Sequence, residues 1–224
     1  MSEISAASII HRTDEKEYIT GYWQKRSTGF ANLRKAELHS NKQLLWQQEI
    51  TRHLPQNRSL KILDIGCGAG FFGILLGQKH HVTGIDLTPE MIEAARTLAA
   101  AERSNAEFMV MDAEALDFAD ASFDVVISRN VMWNLPHPET AYREWLPAKN
   151  AHADIAPELL DECHNIYHML DISAYNRPQW DEEFLQSTGL CSVSTDTMVG
   201  SRIYAAEDIF YIPVPMFCVK AVKF

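Results

Sequence analysis

The chain has 224 residues and a formal charge of −10, with 46% hydrophobic and 22% charged residues. This length suits one α/β domain with decoration, and the acidic balance argues against an extended nucleic-acid face, leaving room only for a small local basic patch. Four scattered cysteines (Cys67, Cys163, Cys191, Cys218) without a C-x-x-C pair, no apolar run near the roughly 18 residues of a membrane span and a polar N-terminus lead to the expectation of a cytoplasmic protein with reduced thiols.

Met1 to Tyr18 is polar and mixed and is expected to be loosely held. Tyr22-Trp23-Gln24-Lys25-Arg26-Ser27 follows. A long helical pattern then runs from about Ala31 to His53, with Leu38, Leu45, Trp46, Ile50 and Leu54 on one face. After the polar turn Gln56 to Ser59, Ile62 to Ile65 reads as a short buried strand, apolar except for Asp64. The turn Gly66-Cys67-Gly68-Ala69-Gly70 comes next, and Phe71 to Gln78 reads as a helix. Strand, glycine loop and helix together make the first βα turn of a nucleotide-binding α/β domain. Glycine permits backbone angles that other residues avoid and lets a ligand lie against the main chain, and the helix points its free N–H groups at the same place.

His81 to Leu87 is a second strand ending in an acid. Asp86 lies 16 residues beyond Gly70, where a carboxylate can take hydrogen bonds from ribose hydroxyls. The alternative is a helix cap. Thr88-Pro89-Glu90 already supplies a cap, an N1 proline and a first-turn acid, which leaves Asp86 for a ligand. Leu87 would then pack on adenine, with Met91 below it. A helix runs from Pro89 to about Arg103, a third strand over Glu107 to Met111, and the loop Asp112-Ala113-Glu114-Ala115-Leu116 follows. Ser122 to Ser128 is a fourth strand, and Arg129 to Leu135 leaves its C-terminal end, where open α/β sheets bind ligands.

Two registers fit the glycine loop. Gly68-Ala69-Gly70-Phe71-Phe72-Gly73 satisfies the dinucleotide pattern formally. Asp64-Ile65-Gly66-Cys67-Gly68-Ala69-Gly70 resembles motif I of the class I S-adenosylmethionine-dependent methyltransferases. An acid inside a strand end is costly unless it has partners, which makes the second match the more specific. The resemblance covers about Tyr22 to Asn130. It implies that Asp64, Gly66, Cys67, Gly68 and Gly70 form the loop around the methionine part of S-adenosyl-L-methionine. Asp86, Leu87 and Met91 would hold ribose and adenine. Asp112 of the D-A-E-x-L loop would accept from the adenine amino group, beside Ala113 and Glu114. Arg129 and Asn130 would border the reacting methyl. Tyr22 and Arg26, as part of a Y-W-x-x-R lid, would meet the methionyl carboxylate; the plain alternative is a helix that packs its aromatic pair and leaves Arg26 on the surface. Trp133 would line the acceptor pocket or belong to the core. The N-P-P-Y loop of DNA amino-methylation is not present after the fourth strand.

Beyond the helix Pro138 to Leu146 the pattern breaks. The family's L-x-P-G-G turn and hydrophobic fifth strand are not recognisable, and no β-branched run occurs before Val193. The expectation is a sheet without an interior strand, its residues lost between about Leu146 and Asn150. Pro157 to Leu170 reads as an amphipathic cap helix carrying Asp161, His164 and His168 on its polar side. Two histidines at i and i+4 can share a metal, but no third ligand is evident and no metal is expected. A short helix after Arg177-Pro178, strands at Cys191 to Thr197 and Phe217 to Val222, and the stiff connection Tyr211-Ile212-Pro213-Val214-Pro215 complete the chain.

The expected fold is α/β, a doubly wound, mostly parallel sheet with a C-terminal antiparallel hairpin. Residues 1–57 form a helical lid, 58–146 a cofactor-binding core, 147–177 a cap segment and 178–224 the remainder of the sheet. The resemblance implies methyl transfer from S-adenosyl-L-methionine to a small-molecule acceptor, with S-adenosyl-L-homocysteine as product and neither nucleic acid nor membrane as partner. The sulfonium already activates the methyl group, so a general base is needed only for a protonated acceptor; Tyr22 and His137 are candidates by placement. An NAD-dependent oxidoreductase, a non-catalytic S-adenosylmethionine-binding protein and, among methyltransferases, tRNA methylation are the alternatives.

Overall fold

The computed structural model describes residues 12–146, 151–155, 175–189, 191–205 and 217–223. Side-chain alternation in two neighbouring strands organises it. In β1 (Lys61–Ile65), Ile62 joins the core on one face of the sheet, whereas Leu63 and Ile65 join the core on the other. In β4 (Val125–Arg129), Val125 and Ile127 belong to the first core and Val126 to the second. A strand alternates sides at every residue, so Asp64 follows Ile62 and Arg129 follows Ile127. The acid and the cation therefore end on the same face of two adjacent, parallel strands.

The sheet order is β3-β2-β1-β4-β5-β7-β6. Besides β1 and β4, it contains β2 (His81–Asp86), β3 (Glu107–Val110), β5 (Ala151–Ile155), β6 (Cys191–Asp196) and β7 (Cys218–Lys223). The pairs from β3 through β5 are parallel, and β7 runs antiparallel to both β5 and β6. The first core packs Leu38 of α1 (Arg12–Leu38), Trp46 and Ile50 of α2 (Lys42–Thr51), Phe71 and Phe72 of α3 (Phe71–Leu76), and Ile92, Ala95 and Leu98 of α4 (Pro89–Ala101). The second packs Tyr142 and Trp145 of α5 (Pro138–Trp145) and Leu185 of α6 (Gln179–Ser187). The layers are thus helix, sheet, helix, with the parallel strands covered on both sides.

Three expectations are corrected. The first concerns the fifth strand, which is present. Ala151–Ile155 pairs with β4 in the register Val126↔His152 to Arg129↔Ile155 and with β7 on its other edge. Its sequence, Ala-His-Ala-Asp-Ile, carries little β propensity. It is a strand because two neighbours offer it complete backbone ladders, which single-sequence patterning does not register. The second is the long helix from Ala31 to His53, which is two helices. The chain turns at His39 to Asn41, where the Ser40 hydroxyl donates to the Glu37 carbonyl at 2.8 Å and accepts from the Lys42 N–H at 3.1 Å. That local bonding competes with helix continuation. Third, the stretch up to Tyr18 is helical from Arg12 onward. A further short helix, α7 (Val199–Ile203), was not anticipated.

The candidate cap helix with Asp161, Cys163, His164 and His168, and the connection Tyr211 to Pro215, lie outside the described residues. Among the described residues no helix is long and apolar enough to cross a membrane, and no group of three potential ligands could hold a metal ion.

Candidate active site

The C-terminal ends of β1, β2, β3 and β4 open into one pocket, and α1 lies across it. Glycine is required where the loop after β1 meets its neighbours. Gly66 has φ +65, and a Cβ there would collide with Val131; Gly68 has φ +50, and a Cβ would come within 2.8 Å of the Phe30 ring. Gly73, the last glycine of the dinucleotide register, is explained by packing, since a Cβ would lie 2.8 Å from Phe108.

Asp64 is 2% exposed, and its Oδ2 accepts from the Gly73 N–H at 3.2 Å. Burial pushes its pKa up to about 7, against the pull of the Gly73 N–H and the Arg129 charge. Asp86 Oδ2 accepts from the Gly68 N–H at 3.0 Å and Oδ1 from the Thr88 N–H at 2.9 Å. The Thr88 hydroxyl makes no capping bond to the helix N-terminus, and Asp86 braces the turn before α4 through the Thr88 N–H. Burial raises this carboxyl's pKa as well, against the pull of its bonds from Thr88 and Gly68. The Cys67 N–H donates to the Ile85 carbonyl at 2.9 Å, tying the loop to β2. Burial raises the Cys67 thiol well above its ordinary range, so it is not a thiolate nucleophile.

In the loop after β3, Asp112 Oδ1 accepts from the Glu114 N–H at 2.9 Å, and Oδ2 lies 2.6 Å from Lys16 Nζ. Glu114 lies 2.7 Å from the same ammonium and accepts from the His137 N–H at 2.6 Å. The Trp145 indole holds the Ala113 carbonyl at 2.7 Å. Asn130 takes φ +62 at the turn out of β4. Beyond it, Trp133 stands 6.1 Å from Trp23, and Trp23 stands 5.5 Å from Phe30, ring centre to ring centre. The Trp23 indole donates to Asn134 Oδ1 at 3.1 Å.

The structure therefore brings Asp64, Gly66, Cys67, Gly68, Asp86, Leu87, Met91, Asp112, Ala113, Glu114, Arg129, Asn130 and Trp133 into one pocket wall. Gly70 sits behind it, closing the turn on the Cys67 carbonyl at 2.9 Å. Tyr22, Arg26 and His137 are not in the wall. Tyr22 is buried with Ile19 and Trp133, and Arg26 is exposed with its guanidinium 5.2 Å from the Tyr22 ring centre. His137 meets Glu114 through its backbone. The sequence reading did not identify Lys16, Phe30, Arg34 or Tyr204 as wall residues, nor Glu37 behind them. One signal was available: positions 16, 19, 23, 30, 34 and 37 fall along one stripe of a continuous helix.

Among the described residues, the buried side-chain atoms without a hydrogen-bond partner are Arg34 Nε, Arg129 Nε and Nη1, Asn130 Oδ1, Trp133 Nε1 and Thr195 Oγ1. All but Thr195 belong to wall residues. Unpaired buried polar atoms are rare because each is costly, and their concentration here fits a polar ligand. With the glycine cradle and the strand-end acids, these donors and acceptors fit an adenosyl amino acid.

Fold and site together are similar to those of the class I, Rossmann-like, S-adenosylmethionine-dependent methyltransferases. Residues 62–149 match the family profile described as a methyltransferase domain. The malonyl-[acyl-carrier protein] O-methyltransferase of Erwinia billingiae is 36% identical over 97 residues, which cover 42% of this chain and 37% of that protein. The chain thus matches well under half the length of this curated relative. A methyltransferase structure from Aquifex aeolicus superposes with a TM-score of 0.58 at 17% identity, covering 83% of this chain and 93% of that one. The Haemonchus contortus phosphoethanolamine N-methyltransferase 2, solved with phosphomonomethylethanolamine and S-adenosylhomocysteine, superposes with a TM-score of 0.59 at 20% identity, covering 80% and 52%.

Proposed function

We propose that the protein transfers the methyl group of S-adenosyl-L-methionine to a small-molecule acceptor in the cytoplasm. The observation that carries this reading is the convergence of Asp64, Asp86 and Asp112, from three different strand ends, with the bare Gly66–Gly68 main chain on one pocket. A nicotinamide cofactor would use the loop and Asp86, but it has no need of Asp64 or of the Asp112-Ala113 loop. When bound, the cofactor supplies an already activated methyl group. The residues of the chain then bind, orient and exclude water. Asp86 and Asp112 offer acceptors to ribose and adenine, and the loop after β1 lies along the amino-acid part. Trp23, Phe30 and Trp133 form aromatic walls that hold an acceptor dry. Holding two reactants in line supplies much of the rate in such a displacement.

The formal charge of −10 and the aromatic walls favour a small molecule over tRNA. Calorimetric titration of the purified protein with S-adenosylhomocysteine and, separately, with NADH tests the cofactor. Methyl transfer from labelled S-adenosylmethionine to a panel of amines, carboxylates, phenols and bulk tRNA tests the acceptor. Binding of NADH but not of S-adenosylhomocysteine overturns the reading, and cofactor binding without transfer to any class reduces it to a binding protein.

A further inference from the structure

Two indoles stand close together in the pocket wall, and only one has its N–H satisfied. Trp23 and Trp133 are 6.1 Å apart, ring centre to ring centre, and both line the pocket with Ile19 and Asn134. The Trp23 indole donates to Asn134 Oδ1 at 3.1 Å. Trp133 adjoins Asn134 in the chain and is 5% exposed, yet its Nε1 has no hydrogen-bond partner. Its packing neighbours, Ile19, Tyr22, Trp23, Tyr175 and Trp180, form a hydrophobic cluster. An indole N–H can only donate, and a buried one without a partner is costly. What satisfies it is the lone pair of a ligand.

Three residues earlier, Asn130 turns the chain out of β4 at φ +62. Asparagine tolerates that angle because its short side chain bonds locally, but Asn130 Oδ1 is buried and accepts from nothing in the protein. The turn carrying both residues is fixed. The Asn134 N–H donates to the Val131 carbonyl at 2.8 Å and the Leu135 N–H to the Met132 carbonyl at 3.2 Å. Val131 itself fills the space that a side chain on Gly66 would need. One rigid turn thus holds an unused donor and an unused acceptor. Charged groups of the wall are committed elsewhere: Lys16 lies 2.6 and 2.7 Å from Asp112 and Glu114, and Arg34 and Arg129 pair with Glu37. The wall formed by Ile19, Trp23, Trp133 and Asn134 carries no charge. An ion against it would lose water without gaining a counter-charge, whereas a neutral polar group would gain two hydrogen bonds.

We propose that Trp133 and Asn130 are specificity-determining residues for a neutral acceptor whose anchoring group both accepts and donates a hydrogen bond, a carboxamide or a hydroxyl. The Trp133 N–H donates to the oxygen of that group, and Asn130 Oδ1 accepts from its N–H or O–H. The inference rests on the methyltransferase reading for the ligand's role as acceptor. A site built this way rejects analogues that leave either protein group unpaired.

Fluorine NMR titration of the S-adenosylhomocysteine complex tests it with four ring probes suited to the aromatic walls. 4-Fluorobenzamide and 4-fluorobenzyl alcohol donate and accept, 4-fluoroacetophenone only accepts, and 4-fluorobenzylamine is a cation at pH 7. Wild type is expected to bind the amide or the alcohol tightest, the ketone next and the cation weakest; whichever of the first two leads names the anchoring group. Trp133→Phe keeps a ring and loses the donor, and it weakens the amide, the alcohol and the ketone by about 3- to 10-fold, the change that one neutral hydrogen bond gives. Binding of the cation is unchanged in it. Asn130→Gly keeps the left-handed turn and brings the amide and the alcohol down to the level of the ketone. A wild type that prefers the cation, or binds none of the four, overturns the proposal. So does either variant that binds the amide and the alcohol as wild type does. If S-adenosylhomocysteine does not bind wild type, the methyltransferase reading fails, and the same comparisons on the free protein decide the subsite. Should Trp133→Phe not fold, the indole N–H resonances of the five tryptophans are followed in wild type. One that moves downfield with the ketone and not with the cation supports the subsite, and five unmoved overturn it.

Discussion

Lys16 and Asp112 are 96 residues apart in the chain and meet at 2.6 Å, a contact that pins α1 to the loop after β3. Glu114 completes the bridge at 2.7 Å. Burial alone would lower the Lys16 pKa, but its hydrogen bonds to Asp112 and Glu114 carry it upward.

Lys16→Met therefore loosens the first turns of α1. Lys16 and Asp112 are 30% and 27% exposed, so solvent screening limits the loss to about 1 kcal/mol. Chemical denaturation at low and high salt checks this, with the gap to wild type narrowing as salt rises. The folded pKa is raised above the ordinary 10.5, so the contribution is fully present below that value and is lost only as the pH climbs through the folded pKa. Equal stability of variant and wild type at low salt and pH 7 refutes the bridge.

Asp64 sets an opposite dependence. Its folded pKa of about 7 lies above the ordinary 3.8, so between those values the native state binds more protons than the unfolded chain and stability falls as pH rises. The interval corresponds to roughly 4 kcal/mol at full effect, an order-of-magnitude figure. Asp64→Asn keeps an oxygen for the Gly73 N–H and cannot ionise. Unfolding at pH 4.5 and pH 8 is expected to show the variant gaining on wild type at the higher pH. A constant difference across the range rules out a raised pKa at this position.

Gly68 and Phe30 are expected to be coupled. Gly68→Ala places a methyl 2.8 Å from the ring at a backbone angle that disfavours side chains, for a loss of about 1–3 kcal/mol and weaker binding of S-adenosylhomocysteine. Phe30→Leu in the same molecule relieves the collision but not the backbone strain. A double-mutant cycle with no interaction energy shows that α1 does not rest on this loop.

Trp133 carries an unpaired indole N–H in the wall. Trp133→Phe removes that donor together with part of the packing, two effects of opposite sign that keep stability within about 1–2 kcal/mol of wild type. With the acceptor identified by the transfer assay, KM for that acceptor rises severalfold while S-adenosylhomocysteine affinity is unchanged. Loss of cofactor affinity instead places Trp133 on the other side of the pocket.

The local patterns that were legible share a short range. Asp64 to Gly70, Asp86 and the Asp112-Ala113-Glu114 loop each lie at a strand end that its own few residues announce, and the structure brings Asp64, Gly66, Cys67, Gly68, Asp86, Asp112, Ala113 and Glu114 to one pocket, with Gly70 closing the turn behind it. Apolar runs and turn glycines encode such segments because burial and backbone freedom act over neighbouring residues.

What needed the tertiary structure was contact between distant segments. Ala151–Ile155 becomes a strand through ladders offered by β4 and β7, and the Asp86 carboxylate links the Gly68 and Thr88 N–H groups, 20 residues apart in the chain. Arg34, Glu37, Arg129 and Tyr204 meet only because α1 folds back over the sheet and the segment after α7 returns to it. Charge pairing of that kind depends on distance in space and is indifferent to distance along the chain. Sequence alone therefore determined the glycine loop after the first strand, and only the fold decided which cations stand beside it.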